Sequence, residues 1–371
     1  MYEAKLKDLI KAAEEVFDFD DNAVIAYKMC SSKLLSTVNR ELESREDILK
    51  LIGGNSVDML EDNHQNHIDF MQSVFTYRQH ELLVKTLPWV YKAYTSKGFL
   101  LDYFQVELTS WVQALSDEKN PDLAPIIQVY NKMLTWHEDI GKLSQREDFL
   151  KIVPDVLWTD NHQSVLKDLL LGKHKAVLDI ILDLYMLPED TDKVYLELIQ
   201  PVMYMIGKHW EEGRISVAQE HIAASAVSRV MAHIHMQFDT ADHLKGDVVV
   251  STGANEFHQI GARMVSDLME NAGWNVRFLG ADIPKDSLGE MLDQINPLIV
   301  ALSVTMDYNV DKVREMVRYI KSKDRWSGIK IMIGGLAINN DPSLHHQLGA
   351  DAYPANAIES LAIAETWRLE Q

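Results

Sequence analysis

Apolar side chains return every three or four positions from Lys5 to Phe17, where Leu6, Leu9, Ile10, Ala13 and Val16 share one helical face. The same period runs through Glu41–Ile52 and Val57–Glu81, with Gly53-Gly54 as a break between them. Pro88 and Gly98 punctuate the stretch from Leu87 to Phe99, and Asp117-Glu-Lys-Asn-Pro121 reads as a polar turn. Residues 1–150 are therefore expected to form an all-helical N-terminal domain. Residues 151–242 keep the helical period, in segments near 162–171, 173–186, 189–212 and 217–238. These are separated at Gly172-Lys173, Leu187-Pro188 and Glu212-Gly213. Four short-looped helices predict a small bundle.

The period changes after Lys245. Val248-Val-Val-Ser-Thr, Val276-Arg-Phe-Leu, Leu298 to Val304, Ile329-Lys-Ile-Met-Ile and Ala352-Tyr are short apolar runs of strand character. Helical segments near 260–272, 286–295, 309–323, 343–348 and 357–369 lie between and after them. Strictly alternating strands and helices predict βαβ units. The expectation for residues 243–371 is a flavodoxin-like, five-stranded parallel sheet with helices on both faces. The fold class is thus α and α/β: helical domain, four-helix-bundle cap, then sheet. In such sheets ligands dock outside the carboxyl ends of the strands, where strand order reverses.

Composition narrows the functional classes. The chain has 371 residues and a formal net charge of -20, with no basic stripe to offset it, so direct nucleic-acid binding is not expected. Its single cysteine, Cys30, excludes an internal disulfide framework and any cysteine-built metal site. No signal-peptide pattern or membrane-length apolar run is present, which predicts a cytoplasmic protein without membrane association. A hydrolase triad, P-loop, zinc motif and G-x-G-x-x-G fingerprint are all absent.

The unusual residues sit where the predicted strands end. Gly253-Ala-Asn-Glu256-Phe-His258-Gln-Ile-Gly261 follows the first, Ser303-Val-Thr305-Met306-Asp307 the third, and Gly334-Gly335 the fourth. A histidine on a strand-tip loop can offer one ring nitrogen to a metal while a nearby carboxylate takes the other N–H. Gly261 would leave room for a flat, bulky ligand, and Gly334-Gly335 would let an elongated group pass close to the backbone. A polar loop histidine with a capping role is the plainer alternative. Upstream, Trp210 precedes the helix stop Gly213, and Ser216 with Gln219 forms a capping box for the next helix. Trp210, Glu220 and His221 would then meet near the tip of a helical hairpin. A core tryptophan beside an exposed Glu-His pair is the alternative there.

Taken together, these strings resemble the cobalamin-binding module shared by corrinoid methyltransferases and CarH-type photoreceptor regulators, over residues 155–370. By that resemblance His258 ligates cobalt from below and Glu256 supports it. Ser303 and Thr305 line the slot for the dimethylbenzimidazole tail, with Gly334 and Gly335 beside it. Methyltransferases usually carry Asp at the position of Glu256. The spacing of Trp210, Glu220 and His221 is similar to that of the photoreceptors. There Trp210 would pack against an adenosyl group, Glu220 would bond its ribose, and His221 would become the upper cobalt ligand after light breaks the Co–C bond. The implied cofactor is adenosylcobalamin, with methylcobalamin or hydroxocobalamin as alternatives.

The resemblance stops at the N-terminus, which lacks the basic recognition helix of a MerR-type DNA-binding domain. The expectation is a light sensor rather than an enzyme. It would act through a protein partner, such as a transcription regulator or signalling protein, and form a homo-oligomer in one light state. The alternatives are a corrinoid methyl carrier of a methyltransferase system and a non-photochemical cobalamin sensor. His64 and His67 share a helix face and invite a metal or haem reading, against a plain hydrogen-bonded pair. The aromatic run Trp89, Tyr91, Tyr94, Phe99, Tyr103, Phe104 and Trp111 reads as core or as a packing surface.

Overall fold

The computed structural model describes residues 2–145, 158–237 and 245–370. The expected domain boundaries near residues 150 and 242 lie outside these. The chain divides into two compact units, Met1–Ile152 with Lys208–Ile215, and Val153–Gly207 with Ser216–Gln371.

The first unit is built from α1 (Tyr2–Glu14), α2 (Asp21–Glu43), α3 (Ile48–Leu51), α4 (Val57–Tyr77), α5 (His80–Thr95), α6 (Leu101–Asp117) and α7 (Ala124–Ser144). The helix expected over Glu41–Ile52 is interrupted, ending at Glu43 and resuming at Ile48. Pro88 does not punctuate; it sits inside α5, buried, so packing outweighs the backbone bond it forfeits. Gly53 does mark a required break. Its φ is +64°, and a Cβ there would meet the Gly98 carbonyl oxygen at 2.2 Å.

The core of this unit contains a buried polar chain. His64 contacts Asn39 Oδ1 at 2.5 Å through Nδ1 and the Tyr103 hydroxyl at 3.0 Å through Nε2. His67 Nε2 lies 3.0 Å from the Tyr130 hydroxyl, which pairs with that of Tyr27 at 2.8 Å. The His67 ring stacks on Trp111, whose Nε1 donates to Glu107 Oε1. Both ring nitrogens of His64 are thus engaged by its neighbours, which is the plain hydrogen-bonded reading of this histidine. Burial lowers His64 to about 4 and His67 to about 3, and pushes Glu107 up to about 7. Within the aromatic run, Tyr91 and Phe104 stack at 3.8 Å, and Tyr103 and Trp111 are fully buried.

In the second unit, α8 (Asp160–Leu170), α9 (His174–Leu184), the continuous helix α10 (Thr191–Lys193), π turn (Val194–Ile199) and α11 (Gln200–Glu211), and α12 (Val217–His235) are the four cap helices. The Ser216–Gln219 capping box is formed. The sheet follows: β1 (Asp247–Thr252), α13 (Ile260–Asn271), β2 (Asn275–Phe278), α14 (Lys285–Ile295), β3 (Ile299–Ser303), α15 (Val310–Lys321), β4 (Lys330–Gly334), α16 (Leu336–Asn340), α17 (Leu344–Leu348) and α18 (Ala357–Leu369). Strand order is β2-β1-β3-β4, all parallel. The apolar runs read as central strands: Val248, Ile299 and Ile331 are fully buried.

The fifth expected strand shrinks to one parallel bridge, Met332 to Ala352. Asp351 answers the Ile331 N–H with its carboxylate at 2.7 Å, and Pro354, two residues beyond the bridge, has no N–H to extend the ladder.

The π turn aims Tyr195 at α13. Its hydroxyl donates to Asp267 Oδ2 at 2.6 Å, and Asp267 Oδ1 lies 3.5 Å from Arg263 Nε and 3.6 Å from His235 Nδ1. Cap helices and sheet domain are thereby tied at one buried carboxylate.

Candidate functional site

β1 and β3 lie side by side, and α13 and α15 leave their carboxyl ends on the way to β2 and β4, so strand order reverses there. The loop after β1 fills this point and is braced from below. Thr252 Oγ1 donates to the Glu256 carbonyl at 2.7 Å and accepts the Asp282 N–H at 3.1 Å. Asp282 Oδ1 in turn accepts the Asn255 N–H. The backbone is therefore held before any ligand is considered.

Glu256 is completely buried. Its Oε1 accepts the His258 backbone N–H at 3.0 Å and lies 2.6 Å from His258 Nδ1. Its Oε2 accepts the N–H groups of Thr305 at 2.9 Å and Met306 at 3.0 Å, and Asn309 Nδ2 at 3.2 Å. Burial by itself would raise this carboxyl. The bonds and charge of His258, with the backbone donors, outweigh it and hold the group below the usual carboxylate range. Because the carboxylate only accepts, His258 Nδ1 carries the proton, and in the neutral imidazole Nε2 keeps its lone pair. The hydrogen bond His258 donates to Glu256 raises the imidazole above its ordinary value against partial burial, and the charges of Glu256 and Glu220 add to it. The His258 side chain is 56% exposed.

Gly261 sits in the first turn of α13, and a Cβ there would meet nothing within 4 Å. Ser303 pairs in register with Thr252 on one side and Gly334 on the other. Gly335 has φ +100°, and a Cβ there would strike the Val304 carbonyl oxygen at 2.2 Å. This glycine is required by the protein's own backbone. The structure thus brings Glu256, His258, Thr305 and the Ser303/Gly334 rung together.

Asn309, Thr252 and Asp282 were not singled out from sequence. Asn309 is buried and also donates to the Asn255 carbonyl. A lone asparagine at a helix start reads as a cap, so its sequence signal is weak. Asp307 Oδ1 is buried with no hydrogen-bond partner among the described residues, and burial pushes this carboxyl up to about 7.

On the cap, His221 Nδ1 pairs with Glu220 Oε2 at 2.6 Å, and the imidazole is 73% exposed. It borders a shallow groove of about 350 Å³ with Gly172, His174, Ile222, Ser225, Ala226 and Arg229. Trp210 belongs to the segment that clusters with the N-terminal helices, and the Lys97 ammonium lies 3.7 Å from its ring centroid.

A corrinoid fits these residues on two counts: the donor set offers an imidazole lone pair with its opposite N–H locked, and Gly261 leaves the adjoining space open. No helix among the described residues is long and apolar enough to cross a membrane.

Comparison with known proteins agrees. The B12 binding domain family matches residues 246–362, and a second B12 binding domain family matches residues 162–235. Dimethylamine corrinoid protein 2 of Methanosarcina mazei is 27% identical over 165 residues, 44% of this chain and 76% of its own. A corrinoid protein of Desulfitobacterium hafniense is 22% identical over 194 residues, 50% of this chain and 89% of its own. The solved monomethylamine corrinoid protein of Methanosarcina barkeri covers 54% of this chain and 95% of its own, at 16% identity and a TM-score of 0.46. That structural likeness is too loose to add to the argument. Cap and sheet of this chain together make up a cobalamin-binding module.

Proposed function

We propose that this chain is a corrinoid protein that carries a methyl group for a partner methyltransferase. The observation that carries the reading is the Glu256-locked imidazole of His258, whose Nε2 has no partner among the described residues. The relatives named as dimethylamine corrinoid proteins favour methyl carriage over the light sensing expected from the sequence. A bound cobalamin would supply a cobalt centre that accepts and gives up a methyl group. The chain's own residues would do the rest. His258 would hold cobalt through Nε2, and Glu256 would keep the proton on Nδ1. Ser303, Thr305, Gly334 and Gly335 would line the tail slot, and Gly261 would leave room for the macrocycle. Neither catalysis by this chain alone nor nucleic-acid binding forms part of the reading, and the proposed compartment is the cytoplasm.

The test is dark methyl transfer. Purified protein loaded with methylcobalamin should pass its methyl group to a nucleophile when a methyltransferase partner is supplied, and His258→Ala should abolish tight loading. Loading without any transfer across a panel of methyltransferases would count against methyl carriage.

A second reading, a cobalamin light sensor working through a transcription regulator or signalling partner, is favoured by one feature. Glu220 is near enough for its charge to reach His258, and it pairs with an exposed His221. With adenosylcobalamin, green light should then give a stable bis-imidazole spectrum and a change in oligomeric state. Unaltered photoproduct in His221→Ala would remove the role given to that residue.

A further inference from the structure

Among the described residues, 2–145 supply no member of the Glu256/His258 constellation, yet they hold a specific piece of the cap. Helix α11 starts at Gln200, but from Lys208 the chain clusters with the N-terminal helices, as far as Ile215. Trp89 Nε1 donates to Glu211 Oε1 at 2.7 Å. Ser96 Oγ donates to the Glu211 carbonyl at 2.7 Å, taking up an oxygen near the helix end that has no partner within the helix. The Lys97 ammonium lies over the Trp210 ring. Gly213, at φ +68°, packs so closely on Ser96 that a Cβ would meet its carbonyl oxygen at 2.8 Å.

The holder is itself braced. Asn55 Nδ2 bridges the carbonyls of Ile52 and Lys97, and the Leu100 N–H bonds the Leu51 carbonyl at 2.8 Å. Burial lowers Lys97 and raises Glu211, so desolvation disfavours the charged form of both groups at this contact. Unspecific packing would not need a tryptophan donor, a serine donor and a cation–π contact converging on two consecutive residues, Trp210 and Glu211.

We infer that the N-terminal helical unit is a regulatory clamp on the tip of the third cap helix, gripping Lys208–Ile215 and so controlling how readily the cap admits and releases its corrinoid. The clamp would couple events in the N-terminal unit to the cofactor along a continuous helix. Reciprocity then requires that corrinoid loading alter the clamp. The regulatory part of this inference rests on the cobalamin reading; the grip itself does not.

The test uses the full chain, hydrogen–deuterium exchange and aquocobalamin. Trp89→Phe/Ser96→Ala removes both donors while keeping ring and backbone. Exchange across 208–215 should rise at least fivefold, roughly what loss of one net hydrogen bond implies. Exchange in α2, α4 and α6 should stay as in wild type. Aquocobalamin uptake and release rates should shift at least threefold, and loading the wild type should change exchange across 89–98. Unchanged exchange at 208–215 would overturn the clamp. Faster exchange with corrinoid rates within twofold of wild type would overturn its regulatory role. A wild type that takes up no aquocobalamin would sink the cobalamin reading and the regulatory role with it, leaving exchange to decide the grip alone. Ser96→Ala by itself serves if the double variant does not fold.

Discussion

Replacing Glu256 by Gln changes one heavy atom and should disable the site through a tautomer. Oε2 faces three donors, the N–H groups of Thr305 and Met306 and Asn309 Nδ2, whereas Oε1 faces two, both from His258. The new amide NH2 opposes fewest donors at the Oε1 end. There it abuts the His258 N–H, and Nδ1 must become an acceptor to keep a bond at all. The imidazole proton then moves to Nε2, the atom needed for cobalt. Losing the carboxylate that holds a metal-binding histidine costs about 10–100-fold in metal affinity. The unmatched buried donor adds roughly 1–3 kcal/mol of destabilisation. Aquocobalamin titration followed by visible spectroscopy reads the first quantity and urea unfolding reads the second. Glu256→Asp should keep the tautomer and lose less. Binding by Glu256→Gln within twofold of wild type, with the same spectrum, would refute the argument that the carboxylate fixes which nitrogen is free.

Glu107→Gln should change how stability depends on pH. Burial raises Glu107 from 4.5 to about 7, so between these values the folded state holds a proton that the unfolded state has released. Wild-type stability falls over that window and is flat with respect to this group above it, by roughly 3 kcal/mol in all. The neutral amide of the variant removes that slope, and the wild-type-minus-variant difference isolates it from the neighbouring histidines; parallel urea-midpoint curves from pH 5 to 8 would contradict the assignment. Tyr195→Phe strips Asp267 Oδ2 of its hydroxyl donor and should cost about 1–3 kcal/mol by urea unfolding, whereas a loss below about 0.5 kcal/mol would mean that the tie between cap and sheet is not energetic. Gly335→Ala should destabilise by more than about 2 kcal/mol, because φ is +100° and Val304 blocks the Cβ. Gly261→Ala should leave stability unchanged or slightly raised, yet weaken aquocobalamin binding; equal binding would show that no ligand passes over that position.

Helical and strand periods are local properties. Positions three or four apart share a helix face, and positions two apart share a strand face, whatever the rest of the chain does. Hence α8 to α12, β1 to β4 and the helices between them were legible, as were the capping box at Ser216 and the Glu256/His258 pair, whose members are two residues apart. Ala352 reads as strand from composition, but the Asp351 carboxylate takes the Ile331 N–H, a partnership no periodicity encodes. Asn309 was invisible for the same reason: it reaches Glu256 across 53 residues. The tip of the third cap helix is the furthest case, since Ser96 meets Glu211 across 115 residues. Sequence alone determined which residues could carry the chemistry and which elements present them. Tertiary structure decided which donors satisfy each buried acceptor, because that choice depends on chain segments brought together only by burying their common apolar faces.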